Sequence, residues 1–209
     1  MEHVLTTLAK GNPKARMLLL HDSKEPMDSP WMDQLANTIN QMGVDVLRWE
    51  LCYMHLRRTQ PKRRWSEPSL YPKMGELDVF MDQLTAIATD LPLILAGKGA
   101  GARLVTAYAA KYTPACLAAL VSFGYPIPAE KHNPRHQLEL IKHLQQLPCP
   151  HLVLQGNVTR TNHTERLMPW LAVGTTEWVW TDGFVQSMSA LNQYFDAWLN
   201  PRGWMMRQA

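Results

Sequence analysis

Residues Gly97-Lys98-Gly99-Ala100-Gly101 follow an apolar run, Leu93-Ile94-Leu95-Ala96, and lead straight into Ala102-Arg103 and a helical pattern. A buried strand that passes through a tight glycine turn into a helix suits two kinds of chemistry. One is anion binding, in which backbone N–H groups and the helix dipole meet a phosphate. The phosphate-loop spacing is absent, because Lys98 precedes the last glycine and no Ser or Thr follows it. The dinucleotide pattern G-x-G-x-x-G matches only in its relaxed form, with Ala102 in the last place, so a nucleotide-phosphate binder stays open as a reading. Against it, the turn follows the third expected strand, and no acidic residue ends the next one. The other chemistry is acyl transfer from a nucleophile elbow, G-x-S-x-G. Every position of that pattern fits except the nucleophile, which is Gly99. An elbow strains any residue but glycine by about 1–3 kcal/mol, so a chain freed from the need for a hydroxyl relaxes towards glycine there. Glycine offers no atom on which an acyl-enzyme could form.

Three further groups of side chains could carry function. Arg57, Arg58, Lys62, Arg63 and Arg64 lie within eight residues. Such a run is ordinarily a solvated face, and part of it can pair with carboxylates elsewhere. Its functional version is that Arg57, Arg58, Arg63 and Arg64 bind an anion or a protein partner, with Trp65 beside Arg64 suited to stacking. His132, His136 and His143 invite a metal, and His136 and His143 share a helical face two turns apart. No carboxylate completes a usual ligand set, so a polar helix face is expected and no metal. Cys52, Cys116 and Cys149 form no C-x-x-C pair and read as buried free thiols in a reducing compartment.

Short apolar runs alternating with amphipathic stretches position these residues, and that alternation argues for βαβ units and a mostly parallel sheet. Strands are expected at Arg16–His21, Val44–Trp49, Leu91–Ala96, Ala118–Phe123, His151–Gln155 and Glu177–Trp180. Helices are expected at Pro30–Met42, capped by Ser29 and ended by Gly43, and at Gly75–Thr89, with Leu77, Phe80, Met81, Leu84 and Ile87 on one face. Others follow at Ala100–Lys111, His136–Gln146, Glu165–Leu171 and Phe184–Leu199, the last facing the sheet with Met188, Leu191, Tyr194, Phe195 and Trp198. Leu51–Lys73, basic and proline-containing, reads as a long surface loop, and Gly124–Arg135 as irregular.

The 209 residues suit one domain over 1–200 with a C-terminal tail over 201–209. A composition 46% hydrophobic and 19% charged is that of a globular chain. A net charge of +3 is too small to suggest a nucleic-acid partner, and one aromatic beside the arginines makes no nucleic-acid surface. No apolar run reaches the roughly 18–20 residues of a membrane span, and Met1 to Lys10 lack the apolar stretch of a signal peptide, so the expected location is the cytoplasm.

Four segments together resemble the small α/β-hydrolase-like proteins related to dienelactone hydrolases, whose relatives include a subunit of the non-specific lethal chromatin complex and a testis-expressed protein. They are His21 to Met32, where the family tends to read H-G-A-G-A-P-M-D-S-P-F-M; Tyr53-Met54 with Arg57-Arg58; the elbow, where the family's G-K-S-M-G-G-R is kept at Gly97, Lys98, Gly101 and Arg103; and Gly124-Tyr125-Pro126 with Pro150 to Gly156. The resemblance runs over about residues 15 to 199. It implies a three-layer α/β-hydrolase fold, a mostly parallel central sheet with helices on both faces. It places the catalytic nucleophile on Gly99, the acid on Thr159 and the histidine on Gly183, so all three roles stand vacant. The oxyanion region falls on Asp22, Ser23, Lys98 and Ala100, with Asp22 where the family has glycine; a carboxylate there opposes a developing oxyanion. Asp182, His163, Ser23 and Ser122 are the side chains onto which chemistry could have moved, although Asp182 reads more simply as a turn residue and His163 as a solvated one. The leading expectation is thus a degenerate hydrolase, a pseudoenzyme without cofactor, that binds a small-molecule ligand or a protein partner. The alternative is an esterase-type hydrolase with a relocated, non-standard site.

Overall fold

The structure is a computed structural model in which residues 3–86 and 91–198 are described. The chain builds β1 (Val4–Thr7), β2 (Ala15–Leu20), α1 (Pro30–Gln41), β3 (Val44–Trp49), α2 (Cys52–Thr59), α3 (Leu70–Ala86), β4 (Leu93–Lys98) and α4 (Ala100–Tyr112). Then come β5 (Leu117–Phe123), α5 (Pro134–Ile141) with a 3₁₀ turn over Lys142–Gln146, β6 (His151–Gly156), α6 (Asn162–Leu171), β7 (Thr176–Thr181) and α7 (Phe184–Trp198). The strands form one sheet in the order β1-β3-β2-β4-β5-β6-β7. All neighbours are parallel except β1, which pairs antiparallel with β3.

Side chains alternate across a strand, so each central strand feeds two cores. In β2, Met17 and Leu19 pack with Met32, Leu35 and Ile39 of α1 and with Met188 and Leu191 of α7. Leu18 and Leu20 face the other way, onto Leu77, Phe80, Met81 and Leu84 of α3 and Leu104, Val105 and Tyr108 of α4. A second patch on the α4 side joins Ala102, Tyr125 and Val153 to α5 and α6 through Ile141, Leu144, Leu167 and Leu171. The three-layer architecture expected from the sequence is therefore present.

Local chemistry explains the boundaries. Ser29 caps α1, its hydroxyl accepting from the Met32 N–H at 3.3 Å, with Pro30 at the first helical position. Asn133 caps α5 in the same way through the His136 N–H, again before a proline, so this helix starts at Pro134 rather than at His136. The stretch Leu51–Lys73 is not one loop: it holds α2 and the first turn of α3, with the irregular part confined to residues 60–69. Strand β4 continues through Lys98, two residues beyond Ala96. Expectations for Ile87 and for the tail after Trp198 lie outside the described residues, as do the side chains of Phe195 and Trp198. Of the cysteines only Cys149 is buried; Cys52 and Cys116 are exposed, which corrects the expectation of three buried thiols. Among the described residues no helix is long and apolar enough to cross a membrane.

Candidate functional site

The carboxyl ends of β2, β4, β5, β6 and β7 meet along one rim of the sheet, the usual place for a ligand in such a fold. At its centre the chain passes from Lys98, the last residue of β4, to Ala100, the first of α4, through Gly99 alone. Gly99 has φ +50° and ψ −114°, a backbone state that glycine tolerates and other residues resist. The turn is compact because glycine flanks it: a Cβ on Gly101 would stand 2.6 Å from the His21 carbonyl oxygen and 2.7 Å from that of Leu20. The sharp strand–turn–helix bend read from the sequence is in place.

The space above Gly99 is filled by Asp22. A Cβ built on Gly99 would lie 2.3 Å from Asp22 Oδ1 and 2.6 Å from its Cγ. The same Oδ1 accepts two backbone hydrogen bonds, from the Ala100 N–H at 2.8 Å and the Ser23 N–H at 2.7 Å. These two amides, one just after the central glycine and one from the loop after β2, are the pair that would hold an oxyanion in acyl transfer. Here they hold an internal carboxylate.

That loop is fastened from several sides. His21 is buried; its Nδ1–H donates to the Asp22 carbonyl at 2.7 Å and its Nε2 accepts from the Leu51 N–H at 3.2 Å. The two contacts require the neutral ring protonated on Nδ1, and burial holds its pKa below the ordinary histidine value. Arg57 donates to the Ser23 carbonyl at 2.7 Å and to the Trp65 carbonyl at 2.8 Å, and lies over the Tyr53 ring. Arg58 joins Asp28 to the buried Glu50. Arg57, half-buried, and Arg58, exposed, are thus both engaged by groups of the chain itself. Arg63 and Arg64 are exposed, and the Arg63 guanidinium lies over the Trp65 ring, 4.2 Å from its centroid.

Beside the elbow lies a cleft of about 300 Å³. Trp31, Phe123 and Phe184 form its aromatic wall, with Trp31 edge-to-face to both partners at 5.8 and 6.0 Å. Lys98 lies 4.2 Å above the Trp31 ring and is ion-paired to Glu25. Asn157, Asp182 and Ser187 supply polar groups on the far side.

The model of an alpha/beta hydrolase domain matches residues 13–185. The chain belongs to the α/β-hydrolase family. No curated protein matches it in sequence. Among solved structures it is similar to an esterase of Butyrivibrio proteoclasticus with bound ferulic acid (TM-score 0.70, 14% identity, covering 94% of this chain and 95% of that one). It is also similar to a serine hydrolase homologue of Coxiella burnetii (TM-score 0.66, 18% identity, 91% and 88% covered). A dienelactone hydrolase of Anabaena variabilis aligns at TM-score 0.65 with 17% identity, over 93% of this chain and 89% of that one. At these identities the likeness concerns the fold.

In this α/β-hydrolase the three positions that the sequence resemblance assigns to a triad are Gly99, Thr159 and Gly183. Gly99 has no side chain. Thr159 accepts from Gln155 Nε2 at 3.0 Å and donates to the Gly156 carbonyl at 2.8 Å, so its hydroxyl serves the turn after β6. Gly183 is exposed after β7, and its neighbour Asp182 accepts from Asn157 Nδ2 at 2.5 Å while its own N–H donates to Gln186.

The relocated candidates fare differently. Ser23 contributes its backbone to the Asp22 contact. His163 is tied by Nε2 to the Pro128 carbonyl at 2.8 Å, in a separate surface hollow with Glu130, His132 and Arg166. Ser122 is the instructive case: its Oγ lies 2.8 Å from His151 Nε2, a nucleophile–base distance. The other nitrogen of His151, however, faces the Thr176 hydroxyl at 3.2 Å rather than a carboxylate. Ser122 and His151 are 0% and 1% exposed, so the pair is enclosed within the fold. The sequence reading named Ser122 but not His151, whose relation to it depends on the β5–β6 pairing.

His132 and His136 meet edge-to-face with ring centroids 4.9 Å apart, whereas His143 turns inward to Thr106 and Tyr125, so the shared face expected for His136 and His143 is not formed. Among the described residues no group of three or more His, Cys, Asp or Glu is arranged to hold a metal ion.

Proposed function

We propose that this chain is a catalytically degenerate α/β-hydrolase, a pseudoenzyme that works by binding a ligand or a protein in its cleft rather than by hydrolysis. One observation carries the reading: the Asp22 carboxylate occupies both amides that an acyl-transfer oxyanion would need. A tetrahedral intermediate places negative charge where those N–H groups point. With Asp22 there, a carbonyl substrate meets a filled hole and a like charge. The vacant position 99 removes the nucleophile as well, and no histidine or acid follows at Gly183 or Thr159 to serve one.

The alternative, a hydrolase with a relocated site, rests on the 2.8 Å contact between Ser122 and His151. Its weakness is access, since a substrate carbonyl would have to enter a face of the sheet covered by Tyr125 and the Trp178 side chain packed on it. Incubation with p-nitrophenyl acetate and with a fluorophosphonate probe decides between the two. The binding reading expects neither turnover above a heat-treated control nor covalent labelling. Turnover that disappears in Ser122→Ala would overturn it.

A further inference from the structure

Building on the cleft as a binding site, we propose that its occupant is a small aromatic amine. The size comes from the cavity: about 300 Å³ lies at the lower end of ligand pockets and suits one ring with a short side chain. The ring comes from the wall. Trp31 stands at 73° to Phe123 and at 86° to Phe184, and all three rings line the cleft. A flat π-system gains edge-to-face contacts there that a saturated ring of equal size does not.

The amine comes from the charges. The lining carries one cation, Lys98, and it is already neutralised by Glu25 while its ammonium group rests on Trp31. It has little left to offer an acid. The lining carboxylate is Asp182, just after β7 and three strands from the Lys98 end of β4. One of its oxygens accepts from Asn157, and among the described residues the other has no hydrogen-bond partner. A second carboxylate, Asp22, sits beside the cleft on the elbow amides. Arg160, in the segment after the lining residues Asn157 and Val158, lies over Trp180 and is paired with Glu165, so it does not reverse the balance. A ligand ammonium can therefore meet Asp182 beside the aromatic wall, whereas a ligand carboxylate would find the elbow amides taken by Asp22 and would be repelled by Asp182.

The test uses the full chain at pH 7 with three probes: tyramine, 4-hydroxyphenylacetate (the same ring with an acid) and 2-cyclohexylethylamine (an amine without a π-system). Saturation-transfer NMR and calorimetric titration are expected to show tyramine bound at least ten-fold more tightly than either comparator. Asp182→Asn is expected to weaken tyramine at least ten-fold. Phe184→Leu, with folding checked by circular dichroism, is expected to reduce the preference for tyramine over the cyclohexyl amine. Absence of tyramine binding, equal or tighter binding of the acid, or an Asp182→Asn variant that binds as before would each overturn the assignment. Ester turnover would instead overturn the non-catalytic reading and leave the ligand class to these titrations.

Discussion

A hydroxymethyl group at position 99 would have to displace a carboxylate. Because a Cβ there stands 2.3 Å from Asp22 Oδ1, Gly99→Ser forces the loop after β2 to move and places a serine in a left-handed backbone state. The expected cost is about 1–3 kcal/mol of stability in urea unfolding, and the proposed non-catalytic reading expects no gain of esterase activity, since it assigns no base or acid to serve the new hydroxyl. Asp22→Gly alone gives up two amide contacts and should destabilise by about 1–2 kcal/mol. In the double variant the clash is gone. The two changes are therefore expected to couple, with a combined loss at least about 1 kcal/mol smaller than the sum of the single losses. Strict additivity in the unfolding midpoints would mean that Asp22 does not occupy the space above Gly99. Esterase turnover by Gly99→Ser alone would contradict the vacancy of the other two roles.

At the scale of elements, α2 acts as the clamp of the oxyanion loop. Arg57 reaches from it to the Ser23 carbonyl, and Arg58 reaches the buried Glu50 at the end of β3. Arg57→Ala is expected to cost about 1–3 kcal/mol, the range for hydrogen bonds made by a charged group. Hydrogen exchange should quicken at Ser23 and Ala100 more than in β5, and uniform protection would show that the loop holds itself. This helix is also where sequence reading fell short. Its residues, Cys52-Tyr53-Met54-His55-Leu56-Arg57-Arg58-Thr59, carry only a short apolar pattern, and its start at Leu51 has no side-chain cap. Its stability comes from Tyr53 and Met54 packing on the sheet, a tertiary effect no local signal announces. Strand β1 was missed for a similar reason: four residues, half of them exposed, become a strand only through pairing with β3. By contrast, the elbow and the strands that lead to it were legible, because a glycine turn between a buried run and a small-residue helix is a local signal. The placement of a carboxylate beside Gly99 was legible as a direction, from Asp22 standing where the family has glycine. That it takes both amides depends on the loop geometry imposed by His21 and Arg57, residues whose partners lie about thirty positions away.

Taken as a whole, the molecule keeps polar groups inside the layer between the sheet and helices α4, α5 and α6, and that gives its stability a pH dependence with a predictable sign. His143 accepts from or donates to Thr106 and Tyr125, and burial, with the nearby Arg103 charge, lowers its pKa to about 4. His151 lies between Ser122 and Thr176, and burial, with a smaller contribution from His143, lowers its pKa to about 3. No carboxylate is among these hydrogen-bond partners, so the fold holds both rings neutral. The unfolded chain, with histidine near 6.5, takes up protons first as the pH falls. Stability is then fully present above about pH 6.5. It declines towards pH 4 by up to about 1.4 kcal/mol per pH unit for each ring, while His21, whose pKa burial also lowers, acts in the same direction. Urea unfolding between pH 7 and pH 4.5, a window above most carboxylate titration, is the measurement. The wild-type chain is expected to lose stability from about pH 6.5 downwards, and His143→Gln, which can still hydrogen-bond to Thr106, should show a shallower slope. A flat profile in the wild-type chain would mean that the interior accepts these protons, and hence that the layer under β5 and β6 is more open to water than its packing implies.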